Sequence, residues 1–240
     1  MDARDIAAAV LPAVHPVVLS GRVSPLGDKG ALSGIAKRKT GPPWVISRTG
    51  VIGDEQADLK NHGGPEKALH HYSYEHYPIW KQQIGYVSAL AKRGAFGENL
   101  STQGWTEENV HVGDIVRFGG ALLQVSQGRQ PCWKLNLRFG RPDMARLVQD
   151  SGRTGWYYRV LTPGRADAGD ELQLVERLHP QWPLSRVLRL LYADTLDFAD
   201  LAGMAQLPEL AEGWRKIAAK RIERRFVEDW QPRLSGRADS

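Results

Sequence analysis

Short apolar runs bounded by glycine, proline and aspartate fill the first 175 residues and predict β-strands. The predicted strands cover residues 17–19, 44–46, 114–118, 121–125, 156–161 and 172–175. Gly119-Gly120 lies between two of these runs and predicts a tight hairpin turn. Short strands at this spacing indicate a β-barrel or a β-sandwich.

Helical spacing of apolar residues appears twice within this region and dominates after Pro180. Residues 74–84 and 142–149 predict helices, and Pro142 suits a first helical turn. Three further helices are predicted over residues 183–192, 197–203 and 208–223. A bundle of three helices this short is too small to be stable alone, so we expect it to pack on the strands.

The chain is therefore predicted to be mainly β with added helices, in two parts. Residues 1–178 form a barrel domain with peripheral helices, and residues 179–240 form a three-helix subdomain with a basic tail. The chain is 42% hydrophobic and 25% charged, which is typical of a folded globular protein.

The net charge of +5 permits an anionic ligand but does not demand nucleic acid. Part of the excess lies near the C-terminus, in Arg215, Lys216, Lys220, Arg221, Arg224 and Arg225. We interpret this cluster as a solvated helix face and not as a nucleic-acid-binding surface, which is the alternative.

No apolar run approaches the roughly 20 residues needed to span a bilayer, so we expect no membrane partner. Acidic residues open the chain, and the short apolar stretch after them ends at Pro12, which argues against a signal peptide. With one cysteine in 240 residues, the sequence predicts a protein of the reducing cytoplasm.

Cys132 is that single cysteine, and it lies between Arg129 and Lys134. Positive neighbours favour the thiolate, which is the form that attacks or binds metal. Together with Pro131 they indicate an exposed turn and a chemical role. The alternative is a buried cysteine that acts as a small hydrophobic side chain.

Two other segments are candidates for a ligand site. His62-Gly63-Gly64-Pro65 is a sharp turn whose amides can hold an anion, with Lys67 adding a charge; the alternative is a plain glycine turn. Residues 96–101 place polar groups after an apolar approach, as at the rim of a ligand site.

We predict no zinc site, because His71 and His76 are five residues apart and do not share a helix face. We expect the histidines to pack in the core or to lie at the rim of a site.

These segments occur in a recognisable order. They are residues 50–58, His62-Gly63-Gly64-Pro65 with Lys67-Ala68, residues 96–100, Val112-Gly113-Asp114, and Gln124-Val125-Ser126-Gln127 leading to Arg129, Pro131 and Cys132. Together they resemble the MOSC domain, named for the C-terminal domain of molybdenum cofactor sulfurase, and in particular the YiiM proteins, which append a three-helix domain. The resemblance covers residues 17–230. One departure is Gly128, since many relatives have proline before the arginine.

The resemblance implies a MOSC-type β-barrel that uses the molybdenum cofactor, with Cys132 as the metal ligand. A thiolate is a soft ligand suited to this metal. Arg129 suits forked binding of an oxyanion, and Gly63, Gly64 and Lys67 offer a second anion contact. The side-chain amides of Gln56, Asn99 and Gln127 suit the edge of a pterin.

The resemblance also implies a reductase of N-hydroxylated bases such as 6-hydroxylaminopurine. The reaction converts N–OH to N–H with loss of water and consumes two electrons and two protons. Asp54, His62 and Glu98 are candidate proton donors, and Trp133 or Trp44 can stack on a flat base. No nicotinamide, flavin or iron–sulfur motif is visible, so we expect a separate electron-donor reductase that docks on the basic helices.

Two other functions remain open from the sequence. Cys132 can carry a persulfide to an acceptor, which predicts bound sulfane sulfur and no molybdenum. A nucleic-acid-binding module predicts an affinity that falls steeply with salt and is indifferent to Cys132.

Overall fold

The computed structural model of the chain describes residues 11–28 and 30–236. The acidic start of the chain, on which the signal-peptide prediction depends, lies outside these residues. Within them, no helix combines the length and the hydrophobicity that crossing a membrane requires.

Strands and helices alternate along the chain. The strands are β1 (Val17–Ser20), β2 (Ser24–Leu26), β3 (Ala31–Ser33), β4 (Arg38–Lys39), β5 (Trp44–Ser47), β6 (Gly50–Val51), β7 (Leu69–Ser73), β8 (Leu100–Thr102), β9 (Ile115–Phe118), β10 (Ala121–Gly128), β11 (Trp156–Thr162), β12 (Gly164–Ala166) and β13 (Leu172–Glu176). The α-helices are α1 (Leu59–His62), α2 (His76–Ile84), α3 (Lys134–Phe139), α4 (Met144–Ser151), α5 (Leu184–Tyr192), α6 (Phe198–Ala205), α7 (Glu212–Arg224) and α8 (Gln231–Ser235). Short 3-10 helices cover Pro65–Lys67 and Ser88–Ala91. Each predicted strand and helix is present, whereas β2, β3, β4, β6, β7, β8, β12, α1, α3 and α8 were not predicted.

Eight strands form one curled sheet in the order β13-β9-β10-β11-β7-β8-β1-β4. Its pairs are antiparallel except for β7 with β8. Gly119 and Gly120 make the predicted hairpin between β9 and β10, where Phe118 pairs with Ala121. Val14, just before β1, bridges to Leu172 on the opposite edge strand, so the sheet curls into a half-barrel. The fold is mixed α/β, with the predicted barrel present in this curled form.

The C-terminal helices share a hydrophobic core with the sheet, as the sequence predicts. Leu188 of α5 and Trp214 of α7 belong to the same buried cluster as Val125 of β10. A Cβ added to Gly128 would lie 2.9 Å from the Trp214 ring. Gly128 therefore lets α7 pack closely on the end of β10.

The basic run of α7 is not one solvated face, which corrects that interpretation. Arg221 is 1% exposed; it donates to the carbonyl oxygens of Leu190 and Leu191 at 3.2 and 3.0 Å and pairs with Glu228. Lys216, Lys220, Arg224 and Arg225 remain exposed. Arg221 is thus a buried residue that joins α7 to α5, and it does not belong to the exposed basic face.

His71 is an internal residue of β7. Its ring nitrogens lie 3.0 Å from the Tyr158 hydroxyl and 2.8 Å from Thr102 Oγ1, and its ring packs between Trp105 and Trp156. Burial lowers the pKa of His71 to about 3, so the folded protein holds this ring neutral.

We expect the neutral His71 to make stability fall in mild acid. Below pH 6.5 the unfolded chain binds a proton that the folded chain does not, so stability present above that pH is lost as the pH falls towards about 3. Between pH 7.5 and 5.5 this one group costs about 1.4 kcal/mol. Urea unfolding at both pH values measures the loss. The His71→Gln variant keeps a donor and an acceptor without titrating, and an unchanged pH dependence in it would contradict the assignment.

Candidate functional site

A cleft of about 550 Å³, its open mouth included, lies beside the half-barrel. Its walls come from the segment between β3 and β4, the loop leading into α1, the start of β7, the turn before β8 and the loop after β10. The side chains that matter for its chemistry are Lys37, Gln56, His62, Lys67, Arg129 and Cys132. Residues far apart in the sequence thus meet at one end of the sheet.

The cysteine loop connects β10 to α3. Arg129 continues the strand, since its amide donates to the Gly155 carbonyl at 2.9 Å. The chain then turns at Pro131, and the Leu135 amide donates to the Cys132 carbonyl at 2.9 Å as α3 begins. Cys132 is 7% exposed and Arg129 is 5% exposed. The prediction that Cys132 lies on an exposed turn is therefore wrong, because the residue is buried, although it does line the cleft.

His62 and Asp58 give Cys132 a polar environment. His62 Nε2 lies 3.3 Å from Cys132 Sγ, and His62 Nδ1 lies 3.5 Å from Asp58 Oδ2. Asp58 and His62 share a face of the α1 turn because they are four residues apart. Burial raises the pKa of the Cys132 thiol, but the His62 hydrogen bond and the Arg129 charge outweigh it and lower that pKa to about 7. Cys132 is thus readily a thiolate near neutral pH.

Removing the His62 imidazole should raise the pH at which Cys132 reacts. We expect alkylation of the metal-free protein by iodoacetamide to reach half its maximal rate near pH 7, in line with the lowered thiol pKa. In His62→Ala the midpoint of the alkylation rate should move to about pH 8.5 or above. Burial still raises the thiol pKa in this variant, whereas the His62 hydrogen bond that opposed it is gone. The matched control is His15→Ala, which removes an exposed histidine and should leave the midpoint in place. An unshifted midpoint in His62→Ala would refute the contact.

The predicted cofactor-binding residues divide into two groups. Gln56, Lys67, Asn99 and Arg129 line the cleft, and Gln127 lines an adjoining outer cavity that shares Cys132. The Asn99 side chain is already engaged, because it donates to Asp54 and to the Leu19 carbonyl and accepts from the His70 amide.

Gly63 and Gly64 line neither of these two cavities. Gly64, with φ 90°, precedes the Pro65–Lys67 turn, and its carbonyl accepts from the Lys67 amide at 3.0 Å. The two glycines therefore shape the turn that carries Lys67 into the cleft, and their predicted contact with an anion stays a prediction.

Asp54 and Glu98, two of the three proton-donor candidates, lie behind the wall of the cleft. The Asp54 carboxylate is 2% exposed, is paired with Lys37, and accepts from the Gly21 amide at 2.8 Å. Glu98 is fully buried and accepts from Tyr77 and from the Gly94 and Phe96 amides. Both carboxylates hold neighbouring segments in place, so His62 alone of the three lines the cleft beside Cys132.

The two tryptophans proposed for stacking also separate. Trp44 packs on Phe118 with ring centroids 6.0 Å apart, whereas Trp133 lines the outer cavity. Of the other buried histidines, His76 is a packing residue that pairs with Glu107 at 2.7 Å, whereas His70, which is 3% exposed, lines the cleft.

Several residues of the cleft were not found from the sequence. Asp58 lay inside a quoted motif, and its spacing to His62 was the available signal. Lys37 and Lys134 line the cleft as well. Nothing local in the sequence marks Lys37, which lies in the segment between β3 and β4.

Comparison with known proteins places this architecture in a family. The family model of the MOSC domain matches residues 58–173, and that of the YiiM-like 3-alpha helix domain matches residues 182–225. Protein YiiM of Escherichia coli K12 is 38% identical over 224 residues, covering 93% of this chain and 99% of that protein. The chain belongs to the YiiM-like MOSC-domain family. The MOSC family is associated with the molybdenum cofactor.

Other relatives agree with this membership. A protein named Reductase from Gibberella moniliformis is 39% identical over 91% of this chain, which spans 39% of that protein. The crystal structure of YiiM from Escherichia coli superposes with a TM-score of 0.74 at 33% identity, covering 89% of this chain and 98% of that one. A crystal structure of a hypothetical protein superposes with a TM-score of 0.82 at 36% identity, covering 93% and 96%. The name of the Gibberella moniliformis relative indicates that this relative is an oxidoreductase.

Proposed function

We propose that the chain is a molybdenum-cofactor-dependent reductase of N-hydroxylated bases such as 6-hydroxylaminopurine. The observation that carries the proposal is the Cys132 sulfur, which lies at the wall of a cation-lined cleft with His62 Nε2 at 3.3 Å. A thiolate in such a cleft combines a soft metal ligand with a binding site for an anionic group.

The residues of the cleft fit the cofactor. Arg129 lines the cleft and is 5% exposed, yet its Nη1 has no hydrogen-bond partner among the described residues. A buried guanidinium nitrogen without a partner is costly and suits an oxyanion such as a phosphate. Lys67 and Lys134 add positive charge on the same cleft. Among the described residues no group of three His, Cys, Asp or Glu side chains can hold a metal ion alone, so Cys132 would be a single protein ligand.

When bound, the cofactor supplies the metal and the two-electron chemistry of the N–OH to N–H conversion. Cys132 Sγ would hold the metal, and His62 Nε2, 3.3 Å away, would take the thiol proton as the thiolate forms. Arg129 Nη1 anchors the anionic group, and the near-complete burial of Cys132 limits the access of water to the sulfur. His62 would also be placed to return that proton to the departing hydroxyl, which leaves as water, while the second proton, on nitrogen, would come from solvent.

Dependence of activity on the host's cofactor pathway tests the proposal. The chain is expressed in cells that make the molybdenum cofactor and in otherwise identical cells that do not. We expect bound molybdenum and reduction of 6-hydroxylaminopurine by a chemical reductant only from the first. Equal activity from both hosts would contradict the proposal.

A separate reductase that docks on the exposed cations of α7 would supply the electrons. Arg221 is internal, so Lys216, Lys220 and Arg224 are the informative positions. Replacing all three with glutamine should slow turnover several-fold with a protein reductase at low salt, because steering of an acidic partner is lost. Turnover with a chemical reductant should stay unchanged. Equal rates with the protein reductase would reject docking at this surface.

A sulfur carrier remains a second candidate, favoured by the same lowered pKa of Cys132, since a thiolate readily accepts sulfur. It predicts sulfane sulfur on the purified protein, no molybdenum, and no reduction of 6-hydroxylaminopurine. Assay of both elements on one sample separates the two functions.

A further inference from the structure

The short helix α8 lies beyond both matched family regions and contacts the cysteine loop directly. The Trp133 amide donates to the Arg233 carbonyl at 2.9 Å, and Asn136 Nδ2 donates to the Leu234 carbonyl at 2.8 Å. Leu234 is 4% exposed and packs in the cluster that contains Leu135 of α3. The end of the described chain is therefore anchored to the segment that follows Cys132.

Arg233 contacts the loop on both sides of Cys132. Its Nη1 donates to the carbonyl oxygen of Pro131, and its own carbonyl accepts from the amide of Trp133. Its Nη2 donates to Gln149 Oε1 of α4 at 2.5 Å. One residue thus brackets the cysteine and links it to a separate helix.

The fit of α8 against the loop is close. A Cβ added to Gly236, which follows α8 with φ 70°, would lie 2.6 Å from the Trp133 ring. Pro232 and Arg233 also line the outer cavity, which has a volume of about 1040 Å³, its open mouth included, and shares Cys132 and His62 with the inner cleft. The segment that brackets Cys132 is thus also a wall of the approach to it.

We infer that Arg233 is a positioning residue, which fixes Cys132 by holding the peptide groups on either side of it. Arg233 donates one hydrogen bond to position 131 and accepts another from position 133. Together these two bonds keep the loop from turning the Cys132 sulfur away from the cleft. The catalytic consequence rests on the proposed reductase function, whereas the effect on the loop does not. A misplacement of about 1 Å at a reacting group can cost 10²-fold in rate.

Three variants test the inference in the full chain. Arg233→Ala removes both side-chain hydrogen bonds, and Arg233→Lys keeps the charge but lacks the fork that reaches Pro131 and Gln149 together. Arg48→Ala removes an exposed arginine on the turn between β5 and β6 and is the matched control. Hydrogen exchange of peptides covering residues 131–139 is measured on the metal-free protein, together with kcat and KM for 6-hydroxylaminopurine with a chemical reductant.

We expect exchange of residues 133–136 to speed up about tenfold or more in Arg233→Ala, and less in Arg233→Lys, with β9 and β10 unchanged. The value of kcat should fall about tenfold to 10²-fold, while KM stays within about twofold. Unchanged exchange in both variants would overturn the inference. So would a raised KM with an unchanged kcat, because Arg233 would then bind substrate.

The two readouts separate failure of the inference from failure of the proposed function. If the wild-type protein does not reduce the base, faster exchange in Arg233→Ala still supports the bracket, and unchanged exchange still overturns it. If Arg233→Ala does not fold, Arg233→Lys carries the same comparison.

Discussion

Replacing Cys132 with serine is expected to lower kcat for 6-hydroxylaminopurine reduction by at least about 10³-fold. The serine hydroxyl is a harder donor that is protonated near neutral pH when free, so it is a weaker ligand than the thiolate for the metal. Steady-state turnover with a chemical reductant measures the effect.

The substitution is nearly isosteric, so a folded variant should be recovered. Placing a hydroxyl at a position that is 7% exposed beside His62 costs at most about 1–3 kcal/mol. Thermal unfolding checks this, and the Cys132→Ala variant should be equally inactive. Activity within tenfold of wild type in a folded Cys132→Ser protein would remove the sulfur from the mechanism.

The second large effect concerns stability, at the buried pair of Lys37 and Asp54. Their side chains are 5% and 2% exposed, so Asp54→Asn leaves a buried ammonium group without its counter-charge. We expect a loss of about 3 kcal/mol in the free energy of unfolding, measured by urea denaturation. Asp54 also accepts from Gln56 and Asn99 at 3.1 and 2.9 Å, so the wall of the cleft should loosen as well.

A double variant separates this structural role from proton donation. Lys37→Met combined with Asp54→Asn removes both charges and should be more stable than Asp54→Asn alone, because no unpaired charge stays buried. If Asp54 were the proton donor, Asp54→Asn would instead retain wild-type stability and lose kcat.

Local sequence pattern was sufficient to predict six of the strands, the long β10 and β11 among them, and the longer helices. The 121–125 run lies between glycine turns, and β10 begins there as predicted. By contrast, α3 and α8 are six and five residues long. Neither gives enough turns for a helical repeat to stand out from a loop, although both hold the cysteine loop.

The candidate site was only partly predictable, because its chemistry depends on pairs far apart in the chain. His62 and Cys132 are 70 positions apart, and only the order of the motifs connected them. Glu98 was chosen because polar groups that follow an apolar approach resemble a ligand rim, yet its carboxylate accepts from the Gly94 and Phe96 amides. Similarly, Arg221 belongs to a basic run by sequence, but its burial depends on carbonyls of α5. Whether a charged side chain is buried depends on its partners in the tertiary structure, and the local sequence pattern does not contain that information.

The bond between Cys132 Sγ and the metal is the central feature of the proposed mechanism. X-ray absorption at the molybdenum edge measures it directly, on protein purified from cells that make the cofactor. We expect the wild-type spectrum to require one more sulfur neighbour than the spectrum of Cys132→Ser loaded in the same host. Identical sulfur coordination in two molybdenum-loaded samples would contradict the account.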